Sequence, residues 1–154
     1  MPAPQSSFVP VSAESHFPIQ NLPLSVFERH DQPDARVGVA IGDSVLDLAV
    51  LEQQGLLDSP APGSKSVFDR GSLNALMALG RPAWQQTRVK IQELLAADNP
   101  RLRDAAALRR EALLPMAEVA LRLPVEIGDY TDFYSSREHA TNVGTMFRGA
   151  DKAL

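Results

Sequence analysis

The sequence predicts an α+β fold, and three observations carry that expectation. Six of the twelve prolines fall at positions 2, 4, 10, 18, 23 and 33. Each proline fixes φ and removes a donor that a helix needs, so the first third is expected to be extended segments and turns. An alternating apolar pattern around Gly42 then marks a β-hairpin. Beyond residue 72 the apolar residues change to helical spacing. With 154 residues, 44% of them hydrophobic, the chain has apolar material for one ordinary core.

Taken in order, residues 24–27 read as a short strand, 30–34 as a turn, and 36–41 as a second strand. Gly42 supplies the positive φ of a two-residue turn into a third strand over 44–48. Residues 49–54 fit a short helix stopped by Gly55, and 58–64 are loop by composition. Ser72 is expected to cap a helix over 73–79 that Gly80 ends. Pro82 then opens a longer helix to about residue 97, with Trp84, Thr87, Ile91, Leu94 and Leu95 on its inner stripe. Asn99-Pro100 starts a third helix carrying Leu102, Ala105, Ala106 and Arg109 at the same spacing. Between Pro115 and Pro124, the alternation of Val119, Leu121 and Leu123 predicts a half-buried strand.

Composition excludes several function classes. Lys plus Arg is 15 against 19 Asp plus Glu, giving a net charge of −4 with a pI near 5.3. Affinity for phosphate backbones comes from clustered positive charge, so neither a nucleic-acid nor an anionic-membrane partner is expected. The absence of cysteine removes a disulfide framework, a thiolate zinc site and a cysteine nucleophile together. No apolar run approaches the ~18 residues of a membrane span, and the first residues lack the basic start and apolar stretch of a secretory signal. A cytoplasmic location is expected.

Chemistry-bearing residues concentrate at 129–139, where two aspartates, two tyrosines, an arginine and a histidine fall within eleven positions. His16 and His30 lie instead among turn residues with nothing reactive beside them. If 129–134 is extended, Tyr130, Asp132 and Tyr134 share one face. Ser135-Ser136-Arg137-Glu138 fits the S-x-x-E capping box with Ser135 as N-cap and His139 as the fourth helical residue. Tyr134, before the cap, is then expected to touch His139. Asn142, Val143 and Met146 share a stripe with His139, which would turn the imidazole inward. Arg148 closes the helix before Gly149, where a cation suits the helix dipole. A plainer account covers the same residues: aspartates as turn formers, Tyr134 as a helix staple, His139 as a core histidine, Arg148 as a terminal charge. A hard cation needs about six to eight oxygen donors, so Asp132 would be one ligand among several from elsewhere.

Residues 127–148, IGDYTDFYSSREHATNVGTMFR, resemble the signature of the fumarylacetoacetase family. FPIQNLPLSVF, RVGVAIGDSVLDL, SLNALMALG, AWQQTRV and RLRD resemble that family's N-terminal region in order and spacing. The resemblance implies an N-terminal domain with a small SH3-like β-barrel over residues 1–118. It places the first strand and helix of a truncated β-rich catalytic domain over 119–154. It also implies hydrolysis of a carbon–carbon bond, turning 4-fumarylacetoacetate and water into fumarate and acetoacetate with a bound Ca²⁺ or Mg²⁺, and a cytoplasmic homodimer at full length. By motif position Asp132 resembles a metal ligand, His139 the general base that activates water, and Tyr134 and Arg148 the groups that hold the substrate.

The reaction itself asks for such groups. Carbon is a poor leaving group, so a β-diketone is cleaved only if the departing enolate is stabilised while water attacks the neighbouring carbonyl. The family's later acidic ligands and the carboxylate partner of its histidine have no counterpart here, so the chain is expected to be a fragment, inactive alone. Two other readings stand beside this one: a non-catalytic structural or interaction module, and a hydrolase of a related acylpyruvate or diketone.

Overall fold

The computed structural model describes residues 6–61, 63 and 65–154. Pro2, Pro4 and the loop positions Pro62 and Ser64 lie outside the described residues. The fold is α+β, with a five-stranded antiparallel sheet that curls into a half-barrel. Its strands are β1 (Leu24–Arg29), β2 (Gln32–Ile41), β3 (Ser44–Asp47), β4 (Leu113–Pro115) and β5 (Val119–Arg122), in the spatial order β4-β3-β2-β1-β5.

The β2–β3 hairpin forms as the pattern predicts, with Gly42 at φ 54° and Ile41 opposite Ser44. The turn before β2 is shorter than expected. Only His30 and Asp31 make it, and Pro33 belongs to the strand at an exposed position, where a missing N–H is tolerated. Strand alternation sends apolar residues to both faces of the sheet. Val26, Val37, Val39, Ile41 and Leu46 join the main core, while Phe27 and Val45 pack with Leu114 and Val119 on the other side. Gly38 lies on that second face, against Phe27 and Val45: a Cβ there would come within 2.7 Å of both the Phe27 ring and Val45. A side chain at 38 would therefore displace the Phe27 ring.

The helices cover the main face. In α1 (Leu48–Gln53) the N-cap is Asp47, whose Oδ1 accepts from the N–H of Ala49 at 3.0 Å and Val50 at 3.2 Å. Its Oδ2 takes an Arg36 N–H at 3.3 Å, so a fully buried carboxylate is neutralised and capped at once. In α2 (Asn74–Ala78) the N-cap is Leu73, without a side-chain cap bond; the Ser72 hydroxyl accepts from the Asn74 N–H ahead of the helix, so Ser72 is not the cap expected and the helix starts one position later. In α3 (Arg81–Leu95) the buried stripe is Ala83, Thr87, Ile91, Leu94 and Leu95. Trp84 sits at the edge of that stripe, with its indole N–H donating to the Leu76 carbonyl at 2.9 Å. Arg88 donates to the carbonyls of Gln20 and Leu22, which ties the extended N-terminal segment to α3.

The third helix divides into α4 (Pro100–Arg103) and α5 (Ala106–Ala112), because Ala105, at φ −82° and ψ 74°, leaves helical geometry. Past Leu102 the longer helix was carried only by alanine and arginine spacing, which buries little: Leu102 is inside but Ala106 is exposed.

β5 lies where the alternation places it, yet its partner is β1, with Phe27 opposite Leu121 and Val26 opposite Arg122. As an edge strand it is covered at one end only. Val119 is buried, whereas Leu121 and Leu123 are 58% and 67% exposed, so the half-buried face expected of all three is not formed. Among the described residues no helix is long and apolar enough to cross a membrane.

Candidate functional site

After β5 the chain is held to the body by the Leu73 N–H, which donates to the Pro124 carbonyl, and by the Asn74 side-chain amide, which donates to the Glu126 carbonyl and accepts from the Glu126 N–H. From there through His139 every residue is exposed. The stretch 128–134 carries neither helix nor ladder pairing, so the alternation of Tyr130, Asp132 and Tyr134 is not imposed by a sheet. It leads into α6 (Arg137–Arg148).

The cap of α6 is Ser136, not Ser135. The Ser136 hydroxyl accepts from His139 N–H at 3.1 Å, which makes His139 the third helical residue. Tandem serines leave two registers open. The S-x-x-E register relies on a Glu138 side chain reaching back to a backbone N–H, a weak gain at an exposed position. One register later, Glu138 still lies in the first turn, where its charge suits the dipole.

The expected contact does form. The rings of Tyr134 and His139 lie 5.3 Å apart between centroids and are tilted by 49°. The chain thus brings a phenol and an imidazole together at a helix N-terminus. The expected inward stripe is not formed: His139, Asn142 and Met146 are exposed. The residue that α6 buries is Gly144, on which the chain's own continuation folds back through Ala153.

Asp132 is exposed and, among the described residues, its carboxylate has no hydrogen bond or ion pair. Arg148 sits at the other end of α6. It is nine positions from His139, hence about 13 Å along the axis and ~180° around it. One of its guanidinium N–H groups donates to the Ala153 carbonyl at 3.2 Å. So the fold joins Tyr134 to His139, leaves Asp132 beside them in sequence, and holds Arg148 apart.

Among the described residues no three His, Asp or Glu side chains converge as a metal shell requires. Asp132 alone does not make a site for a hard cation. Two clefts, of about 470 and 360 Å³, are lined by residues between Ser6 and Gln20 and between Leu57 and Glu93 rather than by this segment. Within this segment the sequence reading missed Gly144, whose signal is a glycine inside a helical pattern.

A family model described as fumarylacetoacetase N-terminal matches residues 20–124. Among curated proteins, a fumarylacetoacetase of Mus musculus is 52% identical over 149 residues, covering 96% of this chain and 35% of that protein. The fumarylacetoacetases of Homo sapiens and Oryza sativa subsp. japonica are 48% and 46% identical with the same two coverages. The chain therefore spans about a third of the length of the curated relatives it matches.

Proposed function

The chain belongs to the fumarylacetoacetase N-terminal family, and from that premise we propose that it supplies the N-terminal part of a fumarylacetoacetase together with the opening of the catalytic part. The observation that carries this reading is the Tyr134–His139 ring contact at 5.3 Å, within a segment aligned to enzymes of that name along 96% of the chain. The half-barrel is proposed to be of the SH3-like type. The catalytic part was expected over 119–154. Because β5 pairs with β1, residues 119–122 also serve the first sheet, so this opening is anchored in the N-terminal body.

In the proposed reaction His139 takes a proton from water, and the resulting hydroxide attacks the ketone carbon next to the bond that breaks. The carbon–carbon bond opens, its electron pair leaves on the enolate of acetoacetate, and the proton returns to that carbon. Fumarate retains the hydroxyl oxygen as a carboxylate. Tyr134 orients the imidazole and offers its hydroxyl to the substrate, and Arg148 binds a substrate carboxylate by charge-assisted hydrogen bonds. Ca²⁺ or Mg²⁺ is proposed only for a protein in which donors outside this chain join Asp132. The homodimeric state and cytoplasmic location belong to the same proposal.

The test is turnover of 4-fumarylacetoacetate by a full-length polypeptide carrying this segment, with His139→Gln beside it. A loss of about 10²-fold or more in kcat with retained folding is expected. Undiminished turnover overturns the base assignment.

A second reading, a non-catalytic module, is favoured by one observation: the described residues do not complete a metal shell. Calorimetric titration with Ca²⁺ of a full-length polypeptide carrying this segment separates the two, since tight binding that is lost in Asp132→Ala counts against a bare module.

A further inference from the structure

α6 carries a glycine in its interior, Gly144, although glycine is the poorest helix former after proline. Its φ is not in the left-handed region, so backbone freedom does not explain it. Space does. A Cβ at 144 would overlap the carbonyl oxygen of Ala153 and stand 2.7 Å from its carbonyl carbon and 3.0 Å from its Cα. All three are backbone atoms, so no flexible side chain could swing away.

The chain reaches that point by a tight return. Gly149, at φ 81°, ends α6 with its N–H on the Thr145 carbonyl, and a single 3₁₀ turn, Ala150–Lys152, carries the chain back to a buried Ala153. The carbonyl that fills the space above Gly144 is also the acceptor for the Arg148 guanidinium, at 3.2 Å. One oxygen thus joins the bare face of the helix to the cation at its end.

We propose that Gly144 is a positioning residue for Arg148: by having no side chain it admits the Ala153 carbonyl, and that carbonyl holds the guanidinium in one orientation for a substrate carboxylate. The acceptor is neutral, and no carboxylate pairs with Arg148 among the described residues. The anchor therefore fixes the planar fork without consuming its charge, leaving further N–H donors for an anionic ligand. The proposal rests on the reading of Arg148 as a substrate-binding group.

A double-mutant cycle in a full-length enzyme carrying this segment tests it. Gly144→Ala is expected to raise KM for fumarylacetoacetate about tenfold with kcat within about twofold. It is expected to add nothing further when Arg148 is already Lys. A glycine inserted after Lys152 moves the carbonyl without adding bulk to α6. It should reproduce the KM change, and it keeps the test decisive should Gly144→Ala not fold. In the 154-residue chain, NMR should show the Arg148 guanidinium protons losing protection from exchange in both variants while the amides of β1 to β3 stay protected. Unaltered KM in both variants, with KM raised by Arg148→Lys, overturns the positioning role and leaves the substrate reading standing. Unaltered KM in Arg148→Lys overturns that reading, and the positioning role with it.

Discussion

Residues 6–124 and residues 125–154 belong to one short chain but obey different rules. In the first region strands, helices and the extended N-terminal segment close on a shared core, and even a carboxylate, Asp47, is buried with its partners supplied. In the second, Ile127, Tyr130, Phe133, Met146 and Phe147 face outward, Phe147 at 83% exposure, and α6 packs mainly on its own continuation. Apolar side chains left in water contribute nothing to folding. The residues that carry the proposed chemistry all sit in the region that the core does not hold.

The sharpest way to break that contrast is to truncate a large side chain in the body. Phe27 is fully buried between Val45, Leu114 and Val119. Phe27→Ala should cost about 3–5 kcal/mol of unfolding free energy, read by urea denaturation. A loss below about 1 kcal/mol would mean that the second face of the sheet is not a packed core.

Asp47 comes next. Asp47→Ala removes the cap of α1 and strands Arg36, which is mostly covered, so a loss of about 2–4 kcal/mol is expected. Its pH signature is specific. Burial pushes the Asp47 carboxyl above its ordinary 3.8, while the Val50 N–H, the Arg36 charge and the Ala49 N–H pull it down without prevailing. A carboxyl with a raised folded value binds its proton more tightly when folded. Its contribution is complete below 3.8 and is lost as pH climbs through the folded value. The stability of the wild type relative to Asp47→Asn should therefore fall with rising pH across that window. A difference that grows instead would show that Arg36 outweighs burial.

The contrast also explains what could be read from the sequence. The β2–β3 hairpin was legible because Gly42 and strict alternation are local signals reinforced by burial. The Tyr134–His139 contact, expected from a Ser135 cap with His139 fourth in the helix, forms although the cap is Ser136 and His139 is third, because a shift of one register leaves both rings at the start of the helix. Expectations failed where burial had to be inferred without knowing a partner. Leu121, Leu123 and the His139 stripe have the spacing of covered residues but nothing among the described residues covers them. The break at Ala105 and the choice of Ser136 over Ser135 are decided by small local energies that spacing does not rank. The buried Asp47–Arg36 pair went unseen because cross-strand geometry, not sequence proximity, joins its two members.

In the second region the expected effects shrink. Ser136→Ala removes the hydroxyl that accepts from His139 N–H, at a cost of about 1 kcal/mol to α6. Amide exchange should speed up across α6 and leave β1 to β3 unchanged. If the strands also exchanged faster, the two regions would unfold as one unit and the comparison would need revising.

The smallest effect is the most telling. Phe147→Ala deletes as much apolar surface as Phe27→Ala, yet the side chain is already in water, so unfolding of this 154-residue chain should change by less than about 0.5 kcal/mol. The same substitution in a full-length polypeptide is expected to cost several times more, because a ring left open here becomes worth burying once further chain packs against α6. Equal and negligible effects in both would mean that Phe147 stays in solvent throughout, and that the exposed face of α6 meets the rest of the protein through its polar residues instead.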